Sequence, residues 1–134
     1  MTFWAVFIGL VLVPVLSLAI ELGRYFYAIA EVQKAADAAA VAASADFDVR
    51  VFEETGVLIP TASTWGTART YAALNGAGLA AKGVRVFVSG IQVSNRGNTL
   101  QVEVSANLSR LFPSLVPEVL VSRIGVASLR AMTH

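Results

Sequence analysis

The stretch FWAVFIGLVLVPVLSLAI, residues 3–20, contains no charged side chain, and its one polar side chain is Ser17. These 18 residues are close to the roughly 20 that a helix needs to cross a bilayer. A cleaved signal peptide fits less well, because its apolar core spans about 7–15 residues behind a basic segment. No Lys or Arg precedes this run, and residues 21–26 continue in helical register. The stretch therefore predicts an uncleaved membrane-inserted helix.

The helical pattern continues beyond Ile20 as an amphipathic one. Apolar residues such as Leu22, Phe26 and Ile29 recur at steps of three and four, with charged residues between them. The Ala-rich stretch Ala35–Ala45 has high helix propensity. Residues 3–45 thus predict one helix about 65 Å long at 1.5 Å per residue, about twice the bilayer requirement, so its second half must lie outside the membrane.

Two features of this helix have alternative interpretations. Pro14 removes a backbone donor and crowds the carbonyl of Leu10, which predicts a kink or, within a filament, a melted stretch. Glu21 and Arg24 stand at the end of the apolar run, where isolated charges are costly. Either they mark the membrane–water boundary, or Glu21 is neutralised by a neighbouring subunit.

Small residues cover much of the second half of the helix. Small side chains permit close helix–helix approach, as in membrane bundles. The alternative is that they combine high propensity with packing on the chain's own head. The residues concerned are Ala28, Ala30, Ala35, Ala36, Ala38, Ala39, Ala40, Ala42 and Ala43.

The remaining residues predict a small α+β head with three or four strands. A strand-like piece at Val49–Phe52 precedes a helix capped by Ser63 or Thr64 that runs to Leu74 and stops at 75–78, where Asn and Gly tolerate a left-handed turn. Alternating residues at 84–94, with a bulge at Gly90, and at 100–109 predict an antiparallel hairpin around a turn at 95–98. Residues 111–117 predict an apolar turn or short helix, which we expect to be either a subunit contact or a lid over the sheet's own core. A third strand, 122–132, places Ile124 and Val126 on one face.

Composition narrows the function classes. The 134 residues are 56% hydrophobic and 14% charged with a net charge of +1, and no Lys/Arg cluster argues for nucleic acid. Cysteine is absent and the single histidine is the terminal His134, so thiol, zinc and serine–histidine chemistry are not expected. The adjacent Glu53 and Glu54 point in different directions and make a poor acid/base pair. We expect no cofactor, no metal and no enzymatic activity. Asn107 begins an Asn-Leu-Ser sequon, a weak glycosylation candidate.

Three segments carry a resemblance to a known family: Pro14-Val-Leu, Glu21-Leu-Gly-Arg-Tyr25, and 33–43, which reads QKAADAAAVAA. Their order and spacing resemble the TadE/TadG-like pilus-assembly proteins, relatives of the type IV and Flp pilins. The similarity covers residues 1–46 well and returns weakly at 68–76 and 111–113. A short Arg-rich segment common before the span in this family is missing here. The resemblance implies export of the head and a role in a pilus or in its assembly machine.

We therefore expect two parts, an N-terminal helix at residues 1–46 and an α+β head at 47–134. The expected function is a pilin-like subunit that passes through the membrane and polymerises with copies of itself into an extracellular filament at the cell surface. The alternatives are a membrane-anchored minor pseudopilin that assists the pilus machinery, and an anchored extracytoplasmic binding module. Candidate subunit-packing residues are Phe3, Phe7, Leu10, Pro14, Leu18, Glu21, Arg24, Tyr25, Ala35 and Ala39.

Overall fold

The computed structural model describes residues 1–47, 49–94, 98–108 and 119–128, with the side chain of Val49 left out. Its elements in chain order are α1 (Thr2–Ala45), α2 (Val49–Thr55), α3 (Ala62–Asn75), α4 (Ala77–Ala80), β1 (Arg85–Ser94), β2 (Thr99–Leu108) and β3 (Val119–Ser128). The predicted α+β class, with a long N-terminal helix packed on an antiparallel sheet, is confirmed.

The sheet is a meander in which β2 lies between β1 and β3, both antiparallel to it. Its inner face buries Leu100, Val102, Val104 and Ala106 from the central strand. The helix α1 packs against β2 and β3, and α3 packs beside α1 against β1. Two helices therefore cover one face of the sheet, and the other face is open in the described part of the chain.

The closest approach between layers is that of α1 to β3. A Cβ atom at Gly125 would overlap the Ala36 carbonyl and the Asp37 backbone nitrogen. Gln33 Nε2 also donates a hydrogen bond of 3.2 Å to the Ile124 carbonyl of the same strand. Small side chains on both elements therefore let the helix backbone rest directly on the strand backbone.

Several sequence predictions hold in detail. The register of β1 against β2 shifts between Val88 and Gly90, as expected for the predicted bulge. The predicted single helix over residues 3–45 is confirmed, since α1 runs from Thr2 to Ala45 with Pro14 inside it, and a bend at Pro14 stays a prediction. Ile124 and Val126 do share a face of β3, but it is the outer, exposed one, and Val121, Gly125 and Ala127 face the core.

Other predictions were wrong. Val49–Phe52 is helical, within α2, because local β propensity gives way once no strand partner is available. The cap of α3 is Thr61, which forms a reciprocal capping box with Thr64, rather than Ser63 or Thr64. The head contains three helices in the described residues instead of one.

The predicted left-handed stop after α3 is also wrong. Gly76 has φ −91° and leads directly into α4. Space favours glycine there, since a Cβ would lie 3.0 Å from Val86 Cγ2 and from the Ala72 carbonyl. The third strand begins at Val119 instead of Ser122 and is described to Ser128. The predicted segments 95–97, 109–118 and 129–134 lie outside the described residues.

Candidate membrane and subunit interface

The first half of α1 presents large apolar side chains that the chain's own head does not cover. Phe3 is 77% exposed and Leu10 is 70% exposed. This helix is long and apolar enough to cross a membrane, and none of its most apolar 18-residue window is buried within the chain. Six of the predicted packing residues lie in this uncovered region: Phe3, Phe7, Leu10, Pro14, Leu18 and Tyr25.

These residues follow one helix face. Together with Glu21 they occupy positions 3, 7, 10, 14, 18, 21 and 25, which advance by steps of three and four and so lie on a single stripe. The helix continues through Pro14, and Ser17 Oγ beside the stripe donates to the Val13 carbonyl at 2.8 Å. The stripe therefore runs continuously past the proline and ends at the charged residues.

Glu21 and Arg24 form an ion pair one helical turn before the head begins. Arg24 Nη1 lies 3.6 Å from Glu21 Oε2, and the Glu21 side chain is only 11% exposed. The buried Nη1 atom makes no hydrogen bond with the residues that the structure describes. Charge is thus already partly compensated within one chain at the end of the apolar half.

The change from open to covered helix takes place between Tyr27 and Ala28. Tyr27 is exposed, whereas Ala28 is completely buried. From there on the helix buries Ala28, Val32, Ala35, Ala36, Ala39, Ala40 and Ala43 in the core shared with α3 and the sheet. The predicted packing residues Ala35 and Ala39 consequently contact the chain's own head, and Val41 lies exposed on the opposite side.

The head reaches the open half of α1 through the turn after α4. Lys82 Nζ lies 4.0 Å from the centroid of the Tyr27 ring, a cation–π contact. The absence of a side chain at Gly78 leaves room for the Tyr27 hydroxyl and the Glu31 carboxylate. Glu31 in turn pairs with Lys34 at 3.2 Å. Tyr27 is therefore the junction between the two halves.

Asp46 fixes the opposite end of the covered half. Its carboxylate accepts hydrogen bonds from Ser63 and Thr67 of α3, and its carbonyl accepts one from Thr64 at 2.6 Å. The hydrogen bond from Thr67, then that from Ser63, lowers the pKa of Asp46 below its ordinary value of 3.8, against a smaller opposing effect of desolvation. The start of α3 is thereby tied to the end of α1.

The outer face of the sheet is a second exposed surface. It carries the apolar side chains of Phe87, Leu120, Ile124 and Val126 beside a row of hydroxyls in which Ser105 contacts Ser89 at 2.9 Å and Ser122 at 2.8 Å. A depression next to Glu103 encloses about 40 Å³, far below the roughly 300–1,000 Å³ of ligand pockets.

Among the other predicted sites, Asn107 is exposed on β2, and its glycosylation stays a prediction. No group of three His, Asp or Glu side chains that could hold a metal ion occurs in the described ranges. Sequence reasoning missed the contact of Tyr27 with Lys82 and the close approach at Gly125. Both join residues far apart in the chain, and no local pattern signals either one.

Residues 1–46 match the family model of putative Flp pilus-assembly TadE/G-like proteins. The predicted family resemblance is therefore confirmed over this segment, which ends at Asp46, the C-cap of α1. No curated protein and no solved structure matches the chain. The match implies a pilus-related role and association with pilus machinery, and the apolar helix fits a membrane anchor.

Proposed function

We propose, from the TadE/G-like segment at residues 1–46, that this chain is a structural, pilin-like subunit that polymerises through the open half of α1 into an extracellular filament. The observation that carries the proposal is the contrast within α1. The apolar half is uncovered by the chain's own head, while the other half is packed tightly against it. The uncovered half requires either lipid or other helices.

The energetic argument rests on the area left open. Each large apolar side chain contributes about 1.5–3 kcal/mol when it leaves water. Lipid supplies that environment before assembly, and neighbouring α1 helices supply it in a filament. The stripe formed by Phe3, Phe7, Leu10, Pro14 and Leu18 gives these helices a continuous contact face. Bundling the stripes in the filament centre places the heads on the outside.

The ion pair at the end of the stripe supports the same arrangement. An unpaired carboxylate inside a helix bundle is strongly disfavoured, whereas a paired one is tolerated. Arg24 at 3.6 Å partly neutralises Glu21 within the chain. In the proposed filament, an Arg24 or another donor of an adjacent subunit completes that neutralisation. Replacement of Glu21 by Ala is then expected to reduce assembly strongly, and undiminished assembly would contradict intersubunit neutralisation.

The direct test is electron microscopy of material sheared from cells that produce the chain. Regular filaments composed mainly of this chain are the expected result. Confinement of the chain to the membrane fraction at low copy number would overturn the structural-subunit proposal.

That second outcome describes the other candidate, a membrane-anchored minor pseudopilin that assists assembly. One observation favours it: Tyr25 lies 21 positions after Trp4, about 32 Å along the helix at 1.5 Å per residue, close to the roughly 30 Å hydrocarbon thickness of a bilayer. The same length also suits a subunit stored in the membrane before assembly. In both candidates the chain has a structural role, and we assign no catalytic activity to it.

A further inference from the structure

The end of the membrane-compatible segment can be located on the molecule from aromatic side chains. Tyr and Trp are enriched at membrane–water interfaces, where an apolar ring and a polar tip are both accommodated. Trp4 lies near one end of the exposed apolar region, and Tyr25 and Tyr27 lie near the other. Because Ala28 is fully buried by the head, no bare helix separates the head from this second interface.

Only a small part of the head lies at that level. The start of α3 contacts Asp46, which is 19 residues and so about 29 Å along α1 from Tyr27. The chain then returns along α3 toward Tyr27. The chain reaches Tyr27 at α4 and the following turn, where Lys82 lies over the Tyr27 ring and Gly78 lies beside the Tyr27 hydroxyl.

The surface of this turn is suited to lipid headgroups. Ala80, Ala81 and Gly83 are exposed and small, so nothing larger than the lysine projects from the turn. Lys82 lies above Tyr27, and Arg24 lies on the same face of α1 one turn nearer the apolar half. Arg24 is already paired with Glu21, so Lys82 is the cation that lies at this interfacial tyrosine where the apolar surface ends. Basic residues in this position are attracted to anionic lipids by about 1 kcal/mol each.

We propose that the turn at residues 80–83 is a membrane-contact site, at which Lys82 binds the phosphate of an anionic lipid headgroup and seats the head on the bilayer. The inference depends on membrane insertion of α1 and is independent of filament formation. The ligand is the headgroup of the bilayer that holds the span. Release of this contact accompanies any departure of the subunit from the membrane.

The sequence contains no cysteine, so single cysteines can report on depth without other changes. The full chain carrying Ala81→Cys is labelled with an environment-sensitive fluorophore and reconstituted into phosphatidylcholine vesicles with or without phosphatidylglycerol. Spin-labelled headgroups serve as quenchers. Ala62→Cys is the matched control, because Ala62 is also an exposed alanine and lies at the far end of α3. Strong quenching at 81 with little at 62 is expected, and equally weak quenching at both overturns the proposal.

Lys82→Gln tests the headgroup contact itself. The variant is expected to lower the ratio of seated to unseated heads about fivefold in phosphatidylglycerol vesicles, and Lys82→Arg restores it. Arg69→Gln removes the same charge from another cation–π pair, with Trp65 at 5.6 Å, in the middle of α3, and is expected to have no effect. Equal effects of Lys82→Gln and Arg69→Gln would overturn the proposal. Vesicle flotation reports insertion separately, so loss of seating with flotation retained contradicts this inference alone.

Discussion

The two halves of α1 share one backbone geometry but differ in the size of their side chains. Before Ala28 the helix carries Phe, Leu, Ile and Val side chains that the described head leaves exposed. From Ala28 to Ala43 the buried positions are alanines, with Val32 as the one larger residue. Small side chains let the head approach the helix backbone, whereas large ones leave an apolar surface for another partner. Side-chain size, and not helix propensity, therefore distinguishes the open half of α1 from the covered half.

The largest effect is expected where helix and strand backbones meet. Gly125→Val places a side chain on the Ala36 carbonyl, and because the opposing atoms are backbone, α1 and β3 must separate. We expect a loss of more than about 3 kcal/mol in the free energy of unfolding, beyond the usual overpacking cost. Urea unfolding followed by circular dichroism in detergent measures it.

Gly23→Ala is the control in the open half. A Cβ at Gly23 meets no atom within 4 Å, and alanine is the better helix former. Stability is expected to stay constant or to rise slightly. Equal losses for the two variants would contradict the division of α1 into a packed and an open half.

A lysine introduced into each half of α1 is expected to affect membrane insertion differently. Leu10→Lys places an ammonium near the centre of the apolar run, at a cost of about 2.5–3.5 kcal/mol on insertion scales. The chain is expected to shift from the membrane fraction to the soluble fraction. Val41→Lys adds the same charge at an exposed site of the covered half, at 63% exposure, and is expected to leave partitioning unchanged. Similar partitioning of both variants would place the membrane segment elsewhere.

Side-chain volume gives a third, smaller contrast. Ala39 is fully buried, so Ala39→Leu overpacks the core between α1 and the sheet at a cost of about 1–3 kcal/mol. Ala19→Leu makes the same change at an exposed position of the apolar half and is expected to leave head stability unaltered. Thermal unfolding midpoints of the two variants in one detergent provide the comparison. A destabilisation by Ala19→Leu as large as that by Ala39→Leu would contradict the assignment of Ala39 to the packed half of α1.

The smallest effect is expected at Asp46, which ties the covered half to α3. Because hydrogen bonds from Thr67 and Ser63 lower the pKa of Asp46, the carboxylate adds stability above pH 3.8. That stability is lost as the pH falls below 3.8 through the folded-state pKa. Asp46→Asn is expected to flatten the pH dependence of the unfolding midpoint below pH 3.8, with a partial flattening in Thr67→Val. An unchanged acid profile in Asp46→Asn would contradict the assigned hydrogen bonds.

Local patterns predicted most of the fold. Strict alternation at 100–108 and the glycine at position 90 yielded β2 and the bulge in β1, because strand periodicity and turn chemistry are read from neighbouring residues. The same reasoning failed at Val49–Phe52, where β-branched residues lie in a helix. Strand propensity there depends on a partner strand that the short segment lacks.

The candidate interface was predictable in one half only. The stripe from Phe3 to Leu18 could be predicted because it lies in a charge-free apolar run. The described head does leave this part of the helix uncovered. Ala35 and Ala39 fit a subunit contact equally well in sequence, since small residues suit any close helix packing. Only the position of the sheet assigns them to the chain's own core.

The sequence by itself determined the apolar segment, the continuous helix, the hairpin and the TadE/G-like pattern of residues 1–46, because each depends on local composition and spacing. The tertiary structure alone decided where the helix changes from open to covered. It placed Gly125 against Ala36, and it brought Lys82 to Tyr27 from 55 positions away. Contacts of that kind depend on how the layers close around one another, which no local period of residues specifies.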